Sequence, residues 1–420
     1  MDSKILLSSS LLIVTSLVTA IAQAAETPLV LPKNINRFRI VGIYTDDIVD
    51  KYNADGKLEG MTSSLNRSLT ISDFARKEPK LLQLQSALNG LQAGLGDQVM
   101  GANLYSDFRT QQQQYLLAYE RGLTNQISLG IRVPIVHTTV NARFSAVGIN
   151  NSSLVAAQIG SLSPALTAGL FDANTKTFNT AFFEQSLFAG KGYEIPHDFD
   201  KTEVGDTEFG AKYAFLQGEQ VFISGLLGTR VPTGSSPSLS NIFDKGTGAG
   251  SWGAAAQLLG EVRPTPWLAF GVAQKATYSF SDTRTRAVPR DDEDSLPSLK
   301  PEDGQVQNVT RTQPMLFESE VNAQVKLFDQ MISTWTAYQF AAQGETSYSG
   351  PGNLDYAVMS KDSSLRATRL EFGLGFSSIN LFRKKRVPIP MEVEGLYNTG
   401  LSGQNVPLAS YSRVDLKMYF

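Results

Sequence analysis

The chain has 420 residues, with 37 Lys and Arg against 40 Asp and Glu for a net charge of −3, and no cysteine. That excludes disulfides and thiolate metal ligands, and the balanced charge gives no support for nucleic-acid binding. Charged residues are only 18%, below the usual roughly 25%, beside 35 Gly and 23 Phe; such a composition fits strands that dilute their hydrophobicity by alternation.

The first segment reads as a leader. Lys4 supplies a positive start, Ile5 to Ile21 is apolar with interspersed Ser and Thr, and Ala22-Gln23-Ala24 is a small-x-small cleavage site. This predicts a secretory signal peptide over 1–24 and an exported domain over 25–420. No later apolar run reaches the roughly 20 residues that a transmembrane helix needs. The exported part therefore either stays in water or crosses a membrane as strands, and a closed barrel is the only strand solution in lipid.

A strand is expected from Arg37 to Tyr44. After it, Leu81, Leu84, Leu88 and Leu91 recur at helical spacing within a long connection, roughly 47–101. The first hairpin follows. Tyr115, Leu117 and Tyr119 form one apolar face with Ile127, Leu129, Ile131 and Val133 across a turn at 121–125. Gln114, Glu120, Ser128, Gly130 and Arg132 form the other face. A second long connection, roughly 146–203, carries Leu154, Ile159, Leu162, Leu166 and Leu170, then Phe178, Phe182, Phe183 and Phe188, and suggests short helices. Such apolar loops either pack on each other and the barrel rim or form a greasy vestibule for hydrophobic ligands.

The alternation returns at Phe209, Ala211, Tyr213 and Phe215, turning at 217–219 into Val221, Ile223, Gly225 and Leu227. It returns at Ala254 to Val262, turning at 263–266 into Leu268, Phe270 and Val272. The polar loop Pro289-Arg290-Asp291-Asp292-Glu293-Asp294 offers acids that could meet divalent cations at lipopolysaccharide. Next come Phe317 to Leu327, a turn near Asp329, and a strand through Trp335 and Tyr338 whose faces the pattern does not assign. Leu370, Phe372, Leu374 and Phe376 lead through Arg383-Lys384-Lys385-Arg386 to Met391, Val393 and Tyr397. Finally Val414, Leu416, Met418 and Phe420 alternate with Asp415, Lys417 and Tyr419. The expected fold is all-β: a transmembrane antiparallel barrel of about twelve strands with long extracellular loops containing short helices. Twelve is even, as bacterial single-chain barrels require.

The faces opposite the apolar ones would line the lumen. Its candidate ligand-lining residues are Arg132, Lys212, Arg230, Glu261, Lys275, Glu318, Glu320, Arg369, Glu371, Glu392, Glu394 and Arg413. Charge costs roughly 2–4 kcal/mol for Arg or Lys on the lipid side at midplane, whereas water or an ion pair satisfies it inside. Of these, Arg369, Glu371, Glu392, Glu394 and Arg413 are brought together by three neighbouring strands. The lumen is either filled by ion pairs or a polar conduit.

The chain has two histidines. Outer-membrane phospholipases of twelve strands place a Ser two positions after their His, but His137 is followed by Thr138-Thr139 and His197 by Asp198-Phe199. His197 with Asp198 and Asp200 resembles the pair of outer-membrane proteases only locally. No enzyme, cofactor or metal is expected.

The last strand resembles the closing strand of bacterial outer-membrane barrels, which implies that Tyr419 and Phe420 carry the signal read by the barrel-assembly machinery. Ile127-Ser128-Leu129-Gly130-Ile131-Arg132-Val133-Pro134 and Gly225-Leu226-Leu227-Gly228-Thr229-Arg230-Val231-Pro232-Thr233-Gly234 are similar to each other. With Gly205-Asp206-Thr207-Glu208-Phe209-Gly210-Ala211-Lys212-Tyr213 upstream, the chain resembles the outer-membrane family named for the meta-pathway of phenol degradation. The resemblance implies an outer-membrane location and passive uptake or export of small hydrophobic or aromatic molecules, with membrane lipid and lipopolysaccharide as surroundings. A structural or adhesion barrel with a closed lumen is the alternative, and a barrel hydrolase the third. The helical loops are also similar to those of long-chain fatty-acid transporters, but no Asn-Pro-Ala follows the leader.

Overall fold

The computed structural model describes residues 27–72, 79–159, 179–292, 294 and 296–420. The expected leader, Leu162, Leu166, Leu170, Phe178 and Glu293 lie outside them. The described strands are β1 (Asn36–Thr45), β2 (Asp50–Tyr52), β3 (Leu58–Gly60), β4 (Arg67–Thr70), β5 (Met100–Gly122), β6 (Ile127–Asn150), β7 (Phe199–Val204), β8 (Thr207–Gln217), β9 (Val221–Val231), β10 (Gly253–Thr265), β11 (Leu268–Ser279), β12 (Asp282–Ala287), β13 (Val306–Thr312), β14 (Leu316–Leu327), β15 (Ile332–Gln343), β16 (Ser347–Ser349), β17 (Leu365–Ser377), β18 (Met391–Gln404), β19 (Val406–Pro407) and β20 (Tyr411–Tyr419).

Twelve of these close a barrel in the order β1-β5-β6-β8-β9-β10-β11-β14-β15-β17-β18-β20, and β20 returns to β1. Every pair is antiparallel. Closure is set by the register of β1, whose Val41 faces Asp415 on one side and Leu116 on the other. Closing the sheet removes the edges that lipid would leave unpaired.

The alternation has the expected sense. Phe209, Tyr213, Leu227, Leu258, Phe317, Phe372 and Val414 stand exposed on the outer face. Their sequence neighbours point inward, because successive side chains on a strand take opposite faces. An apolar exterior around a closed sheet is the architecture of an outer-membrane barrel. Among the described residues no helix is long and apolar enough to cross a membrane.

The connections are short at one end and long at the other, which places the short end in the periplasm. The turn after β14 needs three consecutive left-handed residues, Phe328, Asp329 and Gln330, and Asp329 pairs with Lys384 of the next turn at 2.5 Å. The strand through Trp335 now has its faces. Trp335, Ala337, Gln339 and Ala341 point inward and Thr334, Thr336, Tyr338 and Phe340 outward. Trp335 and Tyr338 are three residues apart, so they fall on opposite faces, and alanines inside blur the contrast.

β5 and β6, 23 and 24 residues long, run well past the roughly 9–11 residues that span a bilayer. Their outer halves change character: Leu104, Ala102, Phe144 and Ala146 are buried there. They meet Leu84 and Leu88 of helix α1 (Pro79–Leu91), Val155 of α2 (Ser152–Ile159), Phe183, Phe188 and Leu296 in one extracellular core. The long loops therefore pack on each other and on the extended hairpin. Leu91 and Leu154 remain exposed.

Candidate functional site

The lumen has two unlike sides. On β14, β15, β17, β18, β20 and β1, inward side chains fill the space and satisfy one another. Glu371, wholly buried, accepts from Trp335 Nε1 at 3.0 Å, Gln339 Nε2 at 3.3 Å and Asn398 Nδ2 at 3.4 Å. Arg369 donates to Asn398 Oδ1 and to the Ala409 carbonyl, both at 2.5 Å. Glu320 accepts from Gln339 at 3.2 Å and Asn322 at 2.9 Å. Arg39 grips Asp415 through Nε at 2.8 Å and Nη2 at 2.5 Å. Lys417 meets Glu394 at 2.6 Å, and Tyr419 donates to Glu392 at 2.6 Å. Arg413 is buried with them. Trp335 lies flat on this wall only because β17 has glycine beneath it: a Cβ at Gly373 would overlap the indole ring.

On β6, β8, β9 and β10 one row of inward positions is small. Gly130 faces Gly210, which faces Gly228, which faces Ala255 across four consecutive strands. Side chains are missing there, and a cavity of about 270 Å³ occupies the space. Its lining runs from Tyr348 and Thr346 at the outer end to Glu120 and Ser128, which sit beside the first periplasmic turn. Val41, Leu116, Val136 and Leu226 add apolar surface.

The sequence-expected residues therefore divide. Arg132, Lys212, Arg230 and Lys275 line the cavity. Arg132 pairs with Glu208 at 2.5 Å on the smooth wall, and Lys275 of β11 with Glu318 of β14 at 3.1 Å where that wall meets the filled one, so the charges along the lining are balanced. Glu261 pairs with Arg263 near the periplasmic end, and Arg263 covers the Phe222 ring at 4.2 Å. Glu320, Arg369, Glu371, Glu392, Glu394 and Arg413 belong to the filled wall. Phe420 is 65% exposed, and its backbone pairs with Asn36.

The motif segments 205–213 and 225–234 meet at the outer rim. Thr207 N donates to Thr233 Oγ1 at 2.9 Å, and Thr233 Oγ1 donates to the Gly205 carbonyl at 2.8 Å. Asp206 accepts from the amides of Gly234 at 3.0 Å and Ala249 at 2.7 Å. The two stretches thus tie the start of β8 to the end of β9 and to the loop 232–252. At the other end, residues 27–35 turn back into the periplasmic mouth. Val30 and Leu31 are buried there, and lumen-facing Lys212 donates to the Thr27 carbonyl at 2.9 Å.

Several cavity residues were not singled out by the alternation. Arg37 and Arg39 of β1 line it, as do Lys245, Arg284, Arg286 and Arg311. β12 and β13 lie beyond the barrel in a small outer sheet with β16. The signal was the run Asp282-Thr283-Arg284-Thr285-Arg286, which alternates charge and threonine and so puts its charges on one face. Burial disfavours the charged form of Lys245, whose pKa lies well below the usual value; neighbouring Asp244 opposes that shift and Lys51 adds to it.

The histidines sit outside the lumen wall. His137 Nδ1 meets Thr202 Oγ1 at 2.8 Å and its Nε2 meets Thr139 Oγ1 at 3.5 Å. His197 Nδ1 contacts the Ile195 carbonyl at 2.9 Å and Nε2 lies 4.0 Å from Glu194. Asp294 of the acidic loop is 3.6 Å from Lys191. No cluster of metal-ligating side chains occurs among the described residues.

No family description and no curated protein matches the sequence. Solved structures do. The chain is similar to an outer membrane channel from Pseudomonas putida F1, with 11% identity over 93% of this chain and 97% of that one and a TM-score of 0.52. It also aligns with a FadL homologue from Pseudomonas aeruginosa (10% identity, 95% and 93% covered, TM-score 0.35) and with the toluene transporter TodX of Pseudomonas putida (9%, 94% and 91%, 0.32). The first likeness establishes a shared fold, that of an outer-membrane β-barrel.

Proposed function

We propose that the chain is an outer-membrane channel for passive passage of small organic molecules with hydrophobic or aromatic bodies, as the resemblance to the meta-pathway family suggests. The carrying observation is the cavity along the smooth wall. It extends over nearly the whole height of the barrel, and its lining combines glycine, apolar side chains and a few charged groups. Ligand sites have that mixture: apolar surface for binding and sparse polar groups for orientation. Passage down a gradient needs no cofactor. Neither histidine contacts both a nucleophile and an orienting carboxylate among the described contacts, so we assign neither a catalytic role.

Planar-bilayer recording of the refolded chain tests this reading. A Cβ at Gly210 would meet nothing nearer than the Leu227 carbonyl at 3.6 Å, so Gly210→Trp should leave the sheet intact and push an indole into the cavity. Conductance should fall by at least about half, since a pore's flux follows its narrowest section, while heat-modifiable gel migration stays as in wild type. A silent wild-type barrel would overturn the channel.

The closed structural barrel is favoured by one observation, the segment 27–35 at the periplasmic mouth. Deleting residues 27–33 separates the two: a channel gains conductance, and a barrel without a path does not.

A further inference from the structure

The outer third of the cavity carries more fixed positive charge than its carboxylates balance. Arg230, Arg284, Arg286 and Arg311 all line it. They come from the end of β9, from β12 and from β13. Arginine stays protonated at any physiological pH. Arg230 lies within electrostatic reach of Arg311, Asp206, Glu208 and Asp282, and Arg286 within reach of Arg284, Arg311 and Asp282.

The nearby acids are already engaged. Asp282 Oδ1 accepts from Arg311 at 2.8 Å, and its Oδ2 lies 2.6 Å from Arg284 Nε as a charge contact without a hydrogen bond, so both oxygens already face a guanidinium. Asp206 accepts from two backbone amides and lies 3.6 Å from Arg230. Glu208 is held by Arg132 below. Arg286 forms no ion pair among the described residues. Its guanidinium stands 5.9 Å over the Tyr348 ring, and its Nε is buried with no hydrogen-bond partner.

The cluster is built in rather than draped on the surface. Arg284 and Arg311 both donate to the Ala249 carbonyl, at 2.8 and 2.6 Å. Gly250, at φ +69°, lets the chain turn there, and a Cβ at that position would overlap the Arg284 guanidinium. Gly253 likewise leaves room for Arg230, whose Cζ would lie 3.3 Å from a Cβ. Directly below, Leu226, Gly228 and Ala255 offer a smooth apolar surface.

We propose that this region is an organic-anion site, in which the four arginines hold the carboxylate of a hydrophobic or aromatic acid whose apolar body lies along the glycine-lined wall. Guanidinium forks match a carboxylate's two oxygens, and the bound charge offsets the excess of cations. Lys245 lies on the same lining, and an anion there would favour its protonated form. The site deepens the channel reading: the transported class would carry a carboxylate, and a neutral molecule of equal size would leave the arginines unbalanced. The groups face the lumen, not the lipid, so the source is a small diffusing acid and not a lipid headgroup.

Radiolabelled benzoate is the probe. Equilibrium dialysis uses the refolded full chain in detergent, with protein-free micelles as the blank and benzyl alcohol and inorganic phosphate as comparators. Wild type should bind benzoate at least about tenfold more tightly than benzyl alcohol or phosphate, since charge-assisted hydrogen bonds and apolar contact act together. Arg286→Gln and Arg311→Gln should each lose about tenfold, and Arg286→Lys should keep part of that. Arg290→Gln, on the exposed loop, should change nothing. Heat-modifiable migration checks that each variant folds. Equal binding of benzoate and benzyl alcohol, preference for phosphate, or indifference to both arginine variants would overturn the site. Because binding is read without current, a silent bilayer with benzoate bound fails the channel alone. A conducting barrel that ignores benzoate fails the site alone.

Discussion

The filled and smooth walls of the lumen are built from the same alternation and reach opposite ends. On the filled side, inward positions carry Trp335, Gln339, Arg369, Glu371, Asn398, Arg413 and Asp415, and the interior is closed by hydrogen bonds. On the smooth side, Gly130, Gly210, Gly228 and Ala255 leave their volume empty. A twelve-strand circumference lies between barrels that side chains fill and barrels that stay open. This chain divides the section: one half braces the wall, and the other keeps the space. Stability and passage are thereby assigned to different residues, so each wall can be disturbed on its own.

The largest effect is expected on the filled wall. Glu371→Ala removes the acceptor shared by Trp335, Gln339 and Asn398 and leaves their donors in a site without water access. Breaking such a buried network costs about 3–5 kcal/mol, to be read as a lower midpoint of urea unfolding in detergent. If the midpoint moves no more than in a surface variant, the network does not brace the barrel. Gly373→Ala should cost about 1–3 kcal/mol by displacing Trp335, the usual range for overpacking. The same substitution at Gly210 should cost almost nothing, because the space is open. Matching losses at the two glycines would erase the distinction between the walls.

The barrel itself was legible because a period of two leaves little choice. Tyr213 and Phe215 outside imply Lys212 and Ala214 inside, and the structure has that arrangement. Short turns and long loops followed from where the alternation stopped. Which inward charges border open space was not legible. Arg369 and Lys212 look alike on a strand, yet one is locked between Asn398 and Ala409 and the other lines the cavity. That difference depends on volumes contributed by distant strands, such as Trp335 lying over Gly373. The arginines of β12 and β13 were missed because the segment between β11 and β14 reads as a loop beyond the membrane. Their alternating Arg-Thr pattern belongs to an outer sheet that no membrane constraint demands. In the extracellular loops the helical spacing marked α1, and Leu84 and Leu88 bury as its period requires. The length of the β5–β6 hairpin was not marked, because its outer half exchanges a lipid-facing exterior for a packed protein core.

The smallest effect tests the outer end of the smooth wall, where the loop 232–252 between β9 and β10 borders the cavity. Lys245 lines the cavity there, and burial holds its pKa well below the ordinary value. The unfolded chain keeps that value, near 10.4. Between the two, the unfolded state binds the extra proton, so stability rises with pH; above the unfolded value neither state is charged and the penalty vanishes. Lys245→Met, of similar length and without charge, should therefore stabilise the protein by about 1 kcal/mol at roughly pH 6, the small gain typical of relieving a buried polar group, and by almost nothing above about pH 10.4. Unfolding midpoints at the two pH values measure it. In wild type, benzoate should narrow the gap, since an anion beside Lys245 favours the protonated form. A gain that is constant with pH would mean that the loop tolerates the charge, and that the cavity at this point is wet.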